Sequence, residues 1–275
     1  MPDVTIVVAT KDREHDLRRS LPHHTAPVIV VDNASADGTP QVAADAGARL
    51  VRLPRNLGAA ARNVGVEQAT TRYVAFADDD SWWAPGALDH ATKVLDAHPR
   101  TALLAARVLV GDKGRLDPTS EAMAHSPLGR PEGLPGPAVL GYLACSIVMR
   151  RDAFLGVGGF SELLHFGGEE ELLALDLAAA GWGQAYLPEL VVHHHPAKQG
   201  RDARGRRRRE VRNRLLTAWL RRPLPALVQE AVTSLRTPEG RRGAADAVRA
   251  LPAVLGSRRQ VPRAVAEARA ALDGY

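Results

Sequence analysis

The sequence predicts an α/β fold, with a mostly parallel sheet flanked by helices and a helical extension at its C-terminal end. Short, β-branched apolar runs alternate with segments of helical spacing from residue 4 onward. Strands that alternate with helices imply right-handed crossovers and a mostly parallel sheet. Residues 201–275 are instead rich in Arg, Ala and Leu and are broken by prolines, which predicts several helices and no further strand.

Each predicted strand is a short apolar run, and each predicted helix repeats apolar residues every three or four positions. Residues 32–39, a dense cluster of Asp, Asn, Ser and Gly, end the second strand in a turn. The strands are predicted at residues 4–9, 28–31, 49–53, 73–77, 102–110, 139–149 and 186–192. The helices are predicted at residues 11–20, 40–46, 59–69, 85–97 and 169–180. Residues 112–137, rich in Gly and Pro, are predicted to form a long loop or small insertion of the kind that often acts as a lid.

Charge is unevenly distributed along the chain. The 275 residues carry a net charge of +5, and the apolar share of 45% is ordinary for a globular protein. Residues 201–275 hold 18 Lys and Arg against 7 Asp and Glu, a net charge of +11, whereas residues 1–199 hold 18 against 24, a net charge of −6. This asymmetry predicts an acidic body with a basic appendage, whose partner is nucleic acid, anionic lipid or only solvent.

The sequence also bears on the compartment. A single cysteine, Cys145, excludes an internal disulfide framework and suits a reducing compartment. No basic segment with an apolar run precedes the first strand, and the longest apolar stretch, residues 138–149, is shorter than the ~18 residues that span a bilayer. We therefore expect a cytoplasmic protein, either free or peripheral to the inner face of the cell membrane.

Three consecutive aspartates, Asp78, Asp79 and Asp80, follow the predicted strand at residues 73–77. Their mutual repulsion is unfavourable unless a cation relieves it, and carboxylate oxygens are the ligands that Mg²⁺ and Mn²⁺ prefer. A solvated acidic turn is the alternative. Because open α/β sheets bind ligands at the carboxyl ends of their strands, the position favours a metal site.

Six short motifs occur in one order along the chain. In this order they resemble the family 2 glycosyltransferases, inverting enzymes of the GT-A fold, over about residues 4–220. The motifs are VVAT at 7–10 with Arg13, VVDNAS at 30–35 with DGT at 37–39, NLG at 56–58 with ARNVG at 61–65, FADDD at 76–80, GGF at 158–160, and GEE at 168–170 with AGW at 180–182.

The resemblance implies a nucleotide-sugar site. Thr10, Arg13 and Arg62 match positions that line the nucleotide, and Asp32 matches the acceptor of a hydrogen bond from uracil or thymine N3–H. An Asx turn or helix cap is the alternative for Asp32. Asp78 and Asp79 join the donor-binding set, although capping of the following turn is the alternative for Asp79.

The resemblance also implies a metal, Mn²⁺ or Mg²⁺, and a catalytic base. The metal ligands would be Asp80, Asp78 and a late histidine, best matched by His194, although His193 and His195 are alternatives. Glu170 matches the base, with Glu169 beside it facing donor or acceptor hydroxyls. Consecutive helical residues point about 100° apart, so only one of these glutamates can aim at a given atom. Two neighbours of the triplet, Trp82 and Trp83, either stack on sugars or belong to the core.

These observations predict a metal-dependent inverting glycosyltransferase that uses a UDP- or dTDP-sugar and a glycan, lipid-linked or natural-product acceptor. Residues 1–100 would bind the nucleotide sugar, residues 101–199 would form the acceptor side, and residues 200–275 would be a basic helical extension. Its part up to residue 219 is expected to close the active site. The rest is expected to be a helical cap, a homodimer surface or an anchor on anionic lipid.

Three other functions are weaker. A nucleotidyltransferase would need a Gly-rich phosphate loop after the first strand, and residues 9–14 lack one. A non-catalytic protein that binds nucleic acid with its basic tail leaves the acidic clusters unexplained, and the tail lacks interleaved aromatic residues. A glycoside hydrolase needs neither the Asp-x-Asp motif nor a nucleotide pocket.

Overall fold

The computed structural model describes residues 3–196 and 202–273 of the chain. Its strands are β1 (Val4–Thr10), β2 (Val28–Asp32), β3 (Arg49–Arg52), β4 (Tyr73–Ala77), β5 (Ser81–Trp83), β6 (Thr101–Val110), β7 (Arg115–Leu116), β8 (Ile147–Arg150) and β9 (Gly183–His194). Its α-helices are α1 (Glu14–Ser20), α2 (Thr39–Asp45), α3 (Ala61–Gln68), α4 (Ala87–Ala97), α5 (Pro118–Ala124), α6 (Arg151–Gly156), α7 (Glu169–Ala179), α8 (Ala203–Arg221), α9 (Leu224–Ser234), α10 (Pro238–Val254) and α11 (Arg263–Asp273).

One sheet runs through the body in the order β3-β2-β1-β4-β8-β6-β9-β5, with β7 paired to β6. The first four strands are parallel, as are β6 and β9. Strand β8 enters antiparallel between β4 and β6, and β5 pairs antiparallel with β9. The predicted α/β architecture is confirmed, and its parallel part aligns the carboxyl ends of β1, β2 and β4 along one edge.

The two faces of the sheet bury separate apolar clusters, because successive strand residues point to opposite sides. Val8 and Val30 pack on the face covered by α1, α2 and α4. Their neighbours Val7 and Val31 pack on the other face. That second face also holds Phe76, Phe154 and Phe160, whose ring centroids lie 5.4–5.5 Å apart.

Two predicted segments differ from the structure. Residues 112–137 contain β7 and α5, so they are not a plain loop. The Asp117 side chain caps α5 by accepting a hydrogen bond from the Thr119 N–H at 2.8 Å, and Pro118 occupies the first turn. The strand predicted at residues 139–149 is reduced to β8, because the apolar residues before it cover the sheet as irregular backbone and a 3₁₀ turn at Ala144–Ser146.

The C-terminal extension consists of helices, as predicted, and it packs on the body. Leu215 and Leu216 of α8 share an apolar cluster with Val254 of α10 and Leu172 of α7. The proposed boundary near residue 199, and Arg201 of the basic segment, lie outside the described residues. Within residues 3–196 and 202–273, no helix combines the length and apolar character that a membrane span requires.

Candidate active site

The carboxyl ends of β1 and β4 bring Thr10 next to the aspartate triplet. The Thr10 hydroxyl donates a hydrogen bond to Asp79 Oδ2 at 2.8 Å. Burial and the negative charges of Asp80 and Asp78 raise the pKa of Asp79 to about 7. Asp79 is thus a buried carboxyl group next to two other carboxylates.

A candidate metal centre lies at this edge. Ligand atoms of Asp78, Asp80 and His194 all lie within 4.8 Å of one another. Strand pairing produces the cluster, because β5 follows the triplet directly and places Ser81 opposite His194 in β9. The next residue, His195, donates its backbone N–H to the Asp80 carbonyl at 2.8 Å.

The three histidines divide between two sides of β9. His194 Nε2 lies 3.2 Å from Asp80 Oδ1. The rings of His193 and His195 stack on Trp82, at centroid distances of 5.8 and 4.7 Å, and His23 stacks on the same indole at 4.3 Å. Of the three, it is therefore His194 that lies next to Asp78 and Asp80. Trp82 is packed among imidazole rings.

The donor set fits a divalent cation. Two ligands about 2.1 Å from an octahedral ion and at right angles to each other are about 3 Å apart. The 3.2 Å between His194 Nε2 and Asp80 Oδ1 matches such adjacent positions. Two carboxylates with one imidazole suit Mn²⁺ and, less strongly, Mg²⁺.

Arg62 is the cation at the centre of the site. Its side chain, 4% exposed, extends from α3 and hydrogen-bonds Asp78. Burial alone would lower the pKa of this guanidinium, but the negative charges of Asp78, Glu169 and Glu170 raise it above its usual value. Arg62 is therefore held charged between Asp78 on one side and the two glutamates on the other.

Three consecutive glutamates open α7 after two left-handed glycines, Gly167 and Gly168, with φ of 91° and 89°. Burial and the charge of Glu169 raise the pKa of Glu170 to about 8, and Glu170 Oε1 accepts a long hydrogen bond of 3.4 Å from the Ala144 N–H. Burial likewise raises the pKa of Glu169.

The third glutamate of this turn, Glu171, faces the C-terminal extension. Its carboxylate forms an ion pair of 2.7 Å with Arg269 of α11, and both side chains are largely buried. Because that carboxylate is engaged with the arginine, Glu169 and Glu170 are the two that remain directed toward Arg62.

Residues 163–168 form the loop that leads into this helix, and both sides of it are fixed. Fully buried Asn213 of α8 donates from Nδ2 toward the carbonyl oxygens of Leu164, Phe166 and Gly167 at 2.8, 3.1 and 2.6 Å. On the other side the Ala59 N–H donates to the His165 carbonyl at 2.6 Å. Sequence reasoning assigned this part of α8 to the active site but missed the clamp, because side-chain bonds to distant carbonyls leave no local pattern.

Two nucleotide-site candidates have partners of their own. Asp32 is fully buried, and its Oδ1 accepts a hydrogen bond at 3.0 Å from the N–H of Ser35, three residues further on, which is a local contact of the capping type. Its Oδ2 lies 3.3 Å from Nε of Arg52, whose side chain is 62% exposed. Arg13 Nη1 lies 3.7 Å from Asp16 Oδ2. The positive charge of Arg13 also acts on Asp79 and offsets part of the upward shift of its pKa.

Comparison with known proteins gives the family. The family model "Glycosyl transferase family 2" matches residues 5–157. A "Pre-mycofactocin glycosyltransferase" of Mycobacterium tuberculosis is 33% identical over 213 residues, which cover 73% of this chain and 44% of that protein. An "N-acetylglucosaminyl-diphospho-decaprenol L-rhamnosyltransferase" of the same organism is 31% identical over 212 residues, 64% of this chain and 68% of the relative. The chain thus spans less than half of the first relative.

Solved structures match the fold. A mannosyltransferase of Pyrobaculum calidifontis, in complex with GDP-Man and Mn²⁺, superposes with a TM-score of 0.62 at 22% identity, over 100% of this chain and 81% of that one. Staphylococcus aureus TarS 1–349, in complex with UDP-GlcNAc, gives 0.62 at 18% identity over 99% and 89%. With the family model matched over more than half of its length, the chain belongs to the family 2 glycosyltransferases, inverting enzymes of the GT-A fold.

Proposed function

We propose that this enzyme transfers a sugar from a UDP- or dTDP-sugar to an acceptor hydroxyl, with Mn²⁺ or Mg²⁺ held by Asp78, Asp80 and His194. The observation that carries the proposal is the convergence of these three side chains within 4.8 Å at the carboxyl edge of the sheet. A bound ion would supply Lewis-acid stabilisation of the negative charge that develops on the leaving diphosphate.

The donor would lie across the ends of β1, β2 and β4, with residues 1–100 forming most of its site. Arg62 supplies a fixed positive charge beside Asp78, and Thr10, Arg13 and Asp79 lie along the same edge. Asp32 would accept the N3–H of uracil or thymine. Because Arg52 is mostly exposed, it can leave Asp32 Oδ2 when a base binds.

Glu170 would be the base that removes the proton of the acceptor hydroxyl. A catalytic base works best when its pKa lies near the working pH, and burial beside Glu169 raises the pKa of Glu170 to about 8. Attack by the deprotonating oxygen opposite the diphosphate inverts the anomeric carbon in one displacement. Glu169, almost fully buried next to Arg62, would orient a sugar hydroxyl.

The acceptor side would be formed by residues 101–199, and we propose the acceptor by class only. The curated relatives are named for pre-mycofactocin and for a diphospho-decaprenol lipid. A hydroxyl on a glycan, a lipid-linked glycan or a small natural product fits the base at Glu170.

The proposal is tested by a donor screen. The purified chain is incubated with UDP-sugars, dTDP-sugars and GDP-mannose, with Mn²⁺ or with EDTA, and release of nucleoside diphosphate is measured. A separate arm supplies UTP or dTTP together with a sugar 1-phosphate, and release of pyrophosphate is measured there. We expect Mn²⁺-dependent diphosphate release from a uridine or thymidine donor, lost in Asp80→Ala and kept in the control Asp89→Ala, which removes an exposed carboxylate from α4.

Each other outcome of the screen has a definite meaning. Release from GDP-mannose alone would refute the assignment of uracil or thymine as the nucleobase of the donor. Pyrophosphate release in the arm that contains a nucleoside triphosphate and a sugar 1-phosphate would indicate a nucleotidyltransferase. Binding of nucleic acid without binding of any nucleotide sugar would refute the catalytic proposal.

A further inference from the structure

Helix α9 carries an apolar stripe on its outer side. Leu224, Val228, Val232 and Leu235 follow one another at spacings of four, four and three residues. They therefore lie on one side of the helix, and each side chain is more than half exposed. The adjoining side of α9 is already used, because Leu227 and Ala231 pack on the cluster shared by α8 and α10. The α9 stripe consists of Leu224 (55% exposed), Val228 (59%), Val232 (54%) and Leu235 (53%).

Exposed arginines follow the α9 stripe at the turn into α10. Arg236, Arg241 and Arg242 are exposed, and among the described residues none of them forms an ion pair with a carboxylate. Arg241 donates to the Leu235 carbonyl at 3.2 Å, which places its guanidinium at the end of the stripe. The acidic residue of this turn, Glu239, is half-buried.

These three residues, Arg236, Arg241 and Arg242, form an arginine rim that differs from the rest of the extension. Several other arginines of α8, α10 and α11 are neutralised by carboxylates, for example Arg214 by Glu230 at 2.9 Å and Arg206 by Glu210 at 2.8 Å. An apolar stripe next to unneutralised arginines is typical of a helix that lies in the interface of an anionic bilayer.

We propose that the α9 stripe and its arginine rim dock the enzyme on an anionic lipid surface. The stripe would enter the boundary between headgroups and acyl chains, and the long arginine side chains would reach the lipid phosphates. The surface lies in the extension, separate from Asp78, Asp80 and Glu170, so that docking does not depend on the proposed donor chemistry.

A second copy of the chain is a poorer occupant. Residues 202–273 hold 17 arginines against 7 acidic residues, so a symmetric contact would bring two strongly positive surfaces together. Four half-exposed side chains on an 11-residue helix also fall short of the roughly 800 Å² per partner that a stable dimer buries. Nucleic acid would contact arginines through phosphates but would leave the apolar side chains in water.

Vesicle co-sedimentation of the full chain at low salt tests this surface. The probes are phosphatidylcholine vesicles with and without phosphatidylglycerol, and no nucleotide sugar is added. We expect binding that requires phosphatidylglycerol. Val228→Ser with Val232→Ser should weaken it by about tenfold or more, because less apolar surface enters the bilayer. Arg236→Gln with Arg242→Gln should weaken binding and reduce its salt dependence.

The controls change exposed residues outside the α9 stripe. Gln229→Ser with Thr233→Ser alters another side of the same helix, and Leu116→Ser removes an exposed apolar side chain from β7. Both should bind vesicles as the parent does. Binding lost equally in the controls, or no binding by the parent even at low ionic strength, would overturn the proposal. A parent dimer that Val228→Ser with Val232→Ser converts to monomers would also overturn it, in favour of self-association.

Discussion

Replacing Glu170 with glutamine keeps the shape of the side chain and removes its charge. If Glu170 is the base, turnover should fall by roughly 10²-fold or more while the donor KM changes little. Donor affinity should persist because Arg62 and the Asp78, Asp80 and His194 cluster are left intact. Steady-state transfer kinetics over a range of donor concentrations give both quantities.

The same variant should be more stable than the parent at high pH. The pKa of Glu170 is raised in the folded protein from 4.5 to about 8, so the folded state binds this proton more tightly than the unfolded state. The resulting stabilisation is complete below about pH 4.5 and is lost as the pH rises through about 8. Each unit of pKa shift corresponds to about 1.4 kcal/mol, so the parent should lose on the order of a few kcal/mol that Glu170→Gln retains.

Two assays measure this effect. Urea unfolding at about pH 5 and about pH 9 gives the free-energy difference between parent and variant, which should grow in favour of the variant with pH. In the parent, kcat/KM should rise with pH up to about 8 as the base loses its proton.

Glu171→Gln is the matched control, because it removes the adjacent carboxylate. Its partner is Arg269, so this variant should lose stability but keep most of its activity. Near-full transfer activity in Glu170→Gln, or a stability difference that does not change with pH, would refute the assignment of the base.

Two further changes test how the extension supports the site. Asn213→Leu keeps the branched shape of the side chain but leaves the carbonyls of the 163–168 loop without donors. The free energy of unfolding should fall by about 2–4 kcal/mol, and kcat should fall more than donor affinity, as measured by denaturation and steady-state kinetics. Equal activity would show that the clamp does not position Glu170. Arg269→Gln breaks the ion pair to Glu171 and should lower the free energy of unfolding by about 1–3 kcal/mol. A stability equal to that of the parent would show that α11 does not hold α7.

Local patterns predicted most of the parallel part of the fold. The strands up to residue 77 are short, largely apolar runs ended by turn formers, so both their positions and the edge at which Asp78 and Asp80 lie followed from the sequence. Helix α5 was missed although Asp117 and Pro118 are ordinary signals for a helix start. The high Gly and Pro content around them concealed it.

The rest of the candidate site depends on contacts between distant segments. Which histidine faces Asp80 is decided by the register of β5 against β9, and β5 is only three residues long. Asn213 meets its carbonyl partners about 46–49 residues away along the chain. Neither the register nor the clamp has a periodic pattern, so local patterns do not predict them. The resemblance to the family singled out His194, but it did not reveal the contacts of Asn213.

Metal-dependent binding of the donor nucleotide is the property on which the proposed chemistry depends. Calorimetric titration of UDP and dTDP into the parent and into Asp80→Ala, with Mn²⁺ and with EDTA, measures it directly. We predict binding to the parent in Mn²⁺ that is strongly weakened by EDTA, and no difference between Mn²⁺ and EDTA in Asp80→Ala, whose fold should be unchanged. Equal affinity of the parent in Mn²⁺ and EDTA, or unchanged Mn²⁺-dependent affinity in Asp80→Ala, would contradict a metal site at Asp78, Asp80 and His194.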